Sequence, residues 1–259
     1  MNGTKGMKML ERINTELDRL EKEENMKILL AIESGSRAWG FPSTDSDFDV
    51  RVIAIQPRSH YLAIDPPKES FDYFLGKELD INAWDLRKAL RLLRKSNLTP
   101  IEWAQSPIVY RTCEGFSEKL LALAAKYFRQ GKAIRHYKGI AMNSMAAATV
   151  NGREVRLKKF FYVLRPVLAA RWIMRYGTMP PMDIFNLMKQ IEKEDLLSTI
   201  NSLIAVKATA QESDTESVVP LLFDYVKAEL DLVCAYTGED TFTETGSEDL
   251  NAFFLDQLD

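Results

Sequence analysis

Two apolar runs separated by a polar turn constrain this chain more than any other stretch of it. Residues 28–32 are uninterruptedly apolar and read as a buried strand. The run ends at Gly35-Ser36, and Pro42, Ser43 and Thr44 mark a loop. A second apolar run then carries Asp47 and Asp49. Side chains two apart on a strand project from one face, so these carboxylates converge. Such a pair is costly unless a cation sits between its members. Mg²⁺ suits it, because that ion is held by one or two carboxylates together with substrate phosphates. Gly35 and Ser36 would bring backbone N–H groups and a hydroxyl close to those phosphates.

Residues 78–84 read as a third strand, on which Asp80, Asn82 and Trp84 share a face. A strand with one carboxylate beside a strand with two builds a site for two Mg²⁺ ions, with Mn²⁺ as a substitute. Such a site clamps the attacking and leaving oxygens of an in-line phosphoryl displacement. Asp47 and Asp49 would bridge the metals, and Asp80 would serve the attacking hydroxyl and accept its proton. A single Asp at a strand end is more often a turn residue, and Asp45 fits that description. Asp45, Asp47 and Asp49 also mimic the start of a calcium-binding loop. That loop needs Gly at its sixth position and Glu at its twelfth, where this chain has Val50 and Gln56.

The rest of the chain is mostly helical in period. Residues 7–24 carry Met9, Ile13, Leu17 and Leu20 at helical spacing. Asp85 is placed to cap a helix striped by Leu86, Ala89, Leu90 and Leu93, and Thr99-Pro100-Ile101-Glu102 is a capping box. Long helices are expected over 116–130, 132–150 and 154–176, broken at Asn151-Gly152 and at 177–181. Shorter ones follow over 182–193, 195–208 and 216–236. Beyond Gly238 the tail is acidic, and Phe253, Phe254 and Leu255 predict that it docks. The expectation is an α+β fold: residues 1–110 form a catalytic domain with a mixed β-sheet and flanking helices. Residues 111–259 form an all-α domain that completes the nucleotide cleft.

The 154–176 helix is apolar almost all round, yet Lys158, Tyr162 and Arg165 lie on one stripe. A buried lysine and arginine need anionic partners. Either they clamp a triphosphate, with Lys158 or Lys159 and Arg165 on phosphates and Tyr162 on base or sugar, or they pair with acidic residues of neighbouring helices. Arg171, Arg175, Arg153 and Arg156 offer contacts to a polyanion such as RNA, or are solvated arginines packing their stems. Arg51, at the parity of the Asp pair, either neutralises the carboxylates in the absence of metal or contacts phosphate. Glu33 supports the Gly-Ser turn, and Trp39 is a packing or wall residue.

Composition removes several classes. The net charge of −3 provides no global reason for nucleic-acid binding, although a local basic face is compatible with it. Two cysteines do not make a disulfide framework and fit a reducing cytoplasm. With two histidines, a zinc site of His and Cys is not expected. The N-terminus lacks the apolar core of a signal peptide, and no stretch is apolar enough to span a membrane.

Gly35-Ser36, Asp47-Phe48-Asp49 and Asp80 together resemble the nucleotidyltransferase superfamily that includes DNA polymerase β. The wording around Glu33 to Phe41 and Ser46 to Arg51 is similar to a branch of stand-alone bacterial and phage nucleotidyltransferases associated with RNA ligase and RNA repair. Trp84-Asp85-Leu86-Arg87, Ser106-Pro107-Ile108-Val109-Tyr110 and Lys158-Lys159-Phe160-Phe161-Tyr162 also look like that branch. The resemblance spans roughly residues 26–182. It implies a small mixed sheet followed by a helical domain, and transfer of a nucleoside monophosphate from an NTP with release of pyrophosphate. It leaves the acceptor open, with an RNA end favoured. The alternatives are an enzyme attaching AMP to a partner protein, as an antitoxin would, and a non-catalytic NTP-binding regulator.

Overall fold

The computed structural model describes residues 3–74, 76, 78–152, 154–209, 214–217, 220–238 and 246–258. The chain forms two compact units. One comprises Met1–Ala38, Asp47–Tyr127 and Glu244–Asp259, and the other Trp39–Ser46 and Phe128–Thr243. Residues 111–127 thus stay with the first unit, and the short 39–46 loop goes to the second.

The first unit contains α1 (Gly3–Glu23), β1 (Lys27–Glu33), α2 (Gly35–Ala38), β2 (Phe48–Ile55), α3 (Arg58–Tyr61), β3 (Ser70–Phe74), β4 (Leu79–Asp85), α4 (Leu86–Arg94), α5 (Thr99–Ala104), β5 (Val109–Thr112) and α6 (Phe116–Tyr127). Its five strands form one sheet in the order β3-β4-β2-β1-β5. β2 and β4 are parallel, and the other neighbours are antiparallel. The helical stripe Met9, Ile13, Leu17 and Leu20 of α1 is buried with Val50, Val52 and Ala54 of β2 and Leu79, Ile81 and Ala83 of β4. Alternation along β4 leaves Asp80, Asn82 and Trp84 half-buried on the opposite face. Asp85 caps α4, its carboxylate accepting from the Arg87 backbone N–H. Leu86, Ala89, Leu90 and Leu93 then form the buried stripe of that helix.

Two strands of this sheet, β3 and β5, were not expected from the periodicity. They are its two edges, and short edge strands carry too few alternations to stand out. β3 also follows closely on Asp65-Pro66-Pro67, which reads as a break.

The second unit contains α7 (Gln130–Ala148), β6 (Thr149–Asn151), β7 (Glu154–Arg156), α8 (Leu157–Tyr176), α9 (Ile184–Met188), α10 (Glu194–Thr209), β8 (Thr215–Ser217) and α11 (Pro220–Cys234). α8 is the buried centre of this unit, with Pro166 inside it. The α+β class holds, but the expected all-α character of the second part needs correction. β6, β7 and β8 form a small antiparallel sheet. Asn151-Gly152 turns a hairpin, with Gly152 at a φ of +54°, where only a helix break was expected. Strands of three residues leave no measurable period. The chain ends in α12 (Glu248–Leu258), which docks in the first unit through Phe253 on Phe116 and Phe254 on Tyr61. Among the described residues no helix is long and apolar enough to cross a membrane.

Candidate active site

β1 is buried to its end at Glu33, and the chain then turns on Gly35. Gly35 has a φ of +61°, in the left-handed region. A Cβ there would lie 2.3 Å from Oδ2 of Asp49. Only glycine lets the turn close on that carboxylate. The Ser34 N–H donates to the Asp49 carbonyl at 2.8 Å, which joins the turn to β2. α2 then carries Ser36 and Arg37.

The parallel register sets Asp49 of β2 directly beside Asp80 of β4. Both carboxylates are half-buried. Arg51, two residues beyond Asp49 on the same face, lies between them. Its Nη2 is 3.0 Å from Asp49 Oδ1 and its Nη1 is 2.9 Å from Asp80 Oδ2. The guanidinium fork thus binds one oxygen of each carboxylate. Burial raises the Asp49 pKa above the ordinary carboxylate value; Arg51 opposes the rise, while the charges of Asp80 and Asp47 add to it. Asp47 lies just ahead of β2 and is exposed. Its carbonyl accepts from Arg37 Nε at 3.0 Å, and the Arg37 guanidinium lies 3.8 Å from the Phe48 ring centre.

Glu33 braces this arrangement from below. It is fully buried, and Oε1 accepts from the Asp49 N–H at 2.9 Å. Its other carboxylate oxygen accepts from the Tyr110 hydroxyl, and its carbonyl accepts from Ser106 Oγ at 2.6 Å. Burial pushes the Glu33 pKa up to about 7, against the lowering effect of the hydrogen bonds from Tyr110 and the Asp49 N–H.

Among the described residues no three His, Cys, Asp or Glu side chains gather as a ready-made metal-ligand set. Instead, a cation is already lodged between two carboxylates, and it is the Arg51 guanidinium. Asp49 and Asp80 therefore form an oxygen pair that accepts positive charge, with the hard donors that Mg²⁺ takes. With Arg51 withdrawn, the pair fits a divalent ion.

In the second unit, the 39–46 loop meets α8. Lys158 is buried and pairs with Asp45 at 2.7 Å, and this hydrogen bond holds the Asp45 carboxyl below its usual pKa. Of the two readings of this lysine, an acidic partner is therefore present, supplied by a loop and not by a neighbouring helix. Arg165 is 3% exposed; its Nε donates to the Met182 carbonyl at 2.9 Å, and its guanidinium lies 4.6 Å from the Trp39 ring. Tyr162 meets Trp39 edge-on at 5.3 Å and is partly exposed. Lys159 is exposed. The stripe Lys158, Tyr162 and Arg165 thus exists and is covered by the loop. Trp39 is a packing residue, and Phe41 packs on Phe161 with ring centres 4.9 Å apart in a tilted arrangement.

No local pattern marks Arg37 or Tyr110 as a site residue. Arg37 follows the Gly-Ser turn directly, and Tyr110 stands in the Ser106-to-Tyr110 motif, so position is the signal each carries. The sequence marks Asp45 as a turn residue. It does occupy a turn, but it also partners Lys158.

A mixed sheet with a Gly-Ser turn closing on one carboxylate, and a second carboxylate beside it on a parallel strand, is the arrangement that the resemblance to polymerase β-like nucleotidyltransferases implies. The chain belongs to the RNA repair pathway DNA polymerase beta family (RlaP), whose family model matches residues 9–256. It is 38% identical over 226 residues to the uncharacterized protein YcgL of Bacillus subtilis (strain 168), covering 87% of this chain and 86% of that protein. A solved structure, that of a nucleotidyltransferase-like protein from Exiguobacterium sibiricum 255-15, is 9% identical with a TM-score of 0.29, covering 80% of this chain and 68% of that one. At that TM-score the likeness carries no structural weight.

Proposed function

We propose that this protein is a Mg²⁺-dependent nucleotidyltransferase that moves a nucleoside monophosphate from an NTP to the end of an RNA strand and releases pyrophosphate. The observation that supports this reading is the facing pair Asp49 and Asp80, already bridging a cation, with Gly35 closed against one of them. The family's description, an RNA repair pathway, favours RNA over protein as the acceptor.

Asp47, Asp49 and Asp80 would hold Mg²⁺, or Mn²⁺ in its place, which would neutralise triphosphate charge and the charge developing on pyrophosphate. The backbone of Gly35 and the hydroxyl of Ser36 orient the phosphates. Asp80 accepts the proton of the acceptor hydroxyl as its oxygen bonds to the α-phosphorus and the bond to the β-phosphate oxygen breaks. Arg51 gives up the carboxylates when the site loads and becomes available to phosphate. On α8, Lys159 and Tyr162 are exposed, whereas Lys158 and Arg165 are engaged with the 39–46 loop. Catalysis of this kind is mostly positioning and charge neutralisation.

The test is incubation with each labelled NTP, Mg²⁺ or Mn²⁺, and RNA bearing a free 3′ hydroxyl. Label should pass to RNA with the wild type and fall to background with Asp49→Asn, whose fold is checked by circular dichroism. Undiminished transfer by a folded Asp47→Asn/Asp49→Asn double variant would sink the proposal.

A further inference from the structure

The polar face of the first unit's sheet continues past the carboxylates. Asp80, Asn82 and Trp84 follow one another along β4. The edge strand β3 sets Asp72 beside Asn82 and Ser70 beside Trp84, and the Asn82 amide donates to Asp72. At about 3.3 Å per residue, Trp84 lies about 13 Å along the strand from Asp80. There α4 leaves β4 and carries Lys88 over the Trp84 ring, with Nζ 4.4 Å from its centre. The far side of Trp84 packs on Trp103 at 4.2 Å.

Beside this aromatic platform lies a groove of about 690 Å³ whose lining includes Glu69, Ser70, Arg87, Lys88 and Arg91. α4 contains Arg87, Lys88, Arg91 and Arg94 and no acidic residue. Glu69 pairs with Arg91 and lies 3.6 Å from Arg87 Nε, which has no hydrogen-bond partner. Arg87, Lys88 and Arg91 face two carboxylates, Glu69 and the nearby Asp72, so the groove keeps a small positive excess. The overall charge of −3 conceals this local excess.

Cations along a groove with an aromatic platform are what a single-stranded nucleic acid requires, phosphates on the former and bases on the latter. We infer that this strip seats the acceptor: a single-stranded RNA segment with its terminal hydroxyl at Asp80, phosphates on Arg91 and on Lys88 swung off the Trp84 ring, and a base on the ring face that Lys88 vacates. The inference rests on the proposed transfer to RNA and assigns it a surface.

The experiment measures binding of a fluorescein-labelled single-stranded RNA by anisotropy, in EDTA, across a salt series. Wild type should bind with a salt-dependent affinity. The Lys88→Gln/Arg91→Gln variant should bind more weakly, with a slope of log K against log salt shallower by about 1.4, since each single-strand phosphate contact contributes about 0.7. Trp84→Leu should lose about tenfold in affinity with little change in slope, as loss of one stacked base predicts. Equal affinity and slope in wild type and the double variant would overturn the assignment, as would a wild type that binds no RNA and labels a protein instead. Mg–NTP binding by wild type, measured by equilibrium dialysis, reports the donor side separately. NTP bound with no RNA bound defeats the strip alone; RNA bound on the strip with no NTP bound defeats the transfer reading and leaves the strip standing.

Discussion

Replacing Arg51 by glutamine removes the cation that bridges Asp49 and Asp80. The lost contacts are 3.0 and 2.9 Å long, among side chains that are 19%, 35% and 30% exposed. Exposed ion pairs contribute about 0–1 kcal/mol, and breaking a buried pair costs about 3–5 kcal/mol. Two half-buried pairs sharing one arginine fall between, at about 2 kcal/mol. For a chain of this size that is a fall of about 4–8 °C in Tm. The effect should be seen in EDTA, because the two carboxylates then repel each other without compensation. Saturating MgCl₂ should reverse it, since an ion that binds only the folded protein at a hundred times its Kd adds about 2.7 kcal/mol. In the wild type the ion must first displace Arg51, so its Mg²⁺-induced shift should be smaller than that of Arg51→Gln. Thermal melts of both proteins, with EDTA and with MgCl₂, decide the matter. A variant as stable as wild type in EDTA, or an identical Mg²⁺ shift in both, would refute the view of Arg51 as an internal stand-in for the ion.

Two further outcomes are expected. Gly35→Ala should lower stability by at least about 1–2 kcal/mol from left-handed backbone strain alone, read by urea unfolding. It should also abolish transfer, because its Cβ would displace the Asp49 carboxylate. Glu33→Gln should change the pH dependence of stability measured in EDTA. The folded pKa of Glu33, about 7, lies above its unfolded value of 4.5, so between these values the folded protein binds more protons than the unfolded chain. Stability therefore falls as pH rises through that window, and Glu33→Gln, which carries no titrating charge, should flatten that fall. An unchanged pH profile would show that Glu33 does not carry it.

What could be read from the sequence follows the length of each pattern. β1, β2, β4, α1 and α4 have apolar repeats long enough to show, and they are the elements that carry the carboxylates. β3, β5 and the β6–β7 hairpin are too short to show a period. Strand parity placed Asp49 and Arg51 on one face, but nothing local says that β2 and β4 run parallel with Asp49 beside Asp80; that is a property of tertiary pairing. Arg51 had two readings, and its bridge to both carboxylates matches the one in which it neutralises them without metal. The pairing of Lys158 with Asp45 joins residues 113 apart, a distance over which no spacing rule operates. Asp45 looked like a turn residue because locally it is one.

The 39–46 loop has a consequence for the gene. Both of its ends are covalently joined to the first unit, yet its residues belong to the second. There Lys207 Nζ donates to the Phe41 carbonyl at 2.7 Å, and the Thr44 N–H donates to the Ala208 carbonyl at 3.0 Å. A fragment begun at residue 128 would leave Lys207, which is 2% exposed, without that acceptor and Lys158 without Asp45. Exchanging one unit without the other would break these contacts. Recombination that replaced one unit would have to carry the matching loop from inside the other's coding sequence, so the halves of this protein are bound to evolve as a pair.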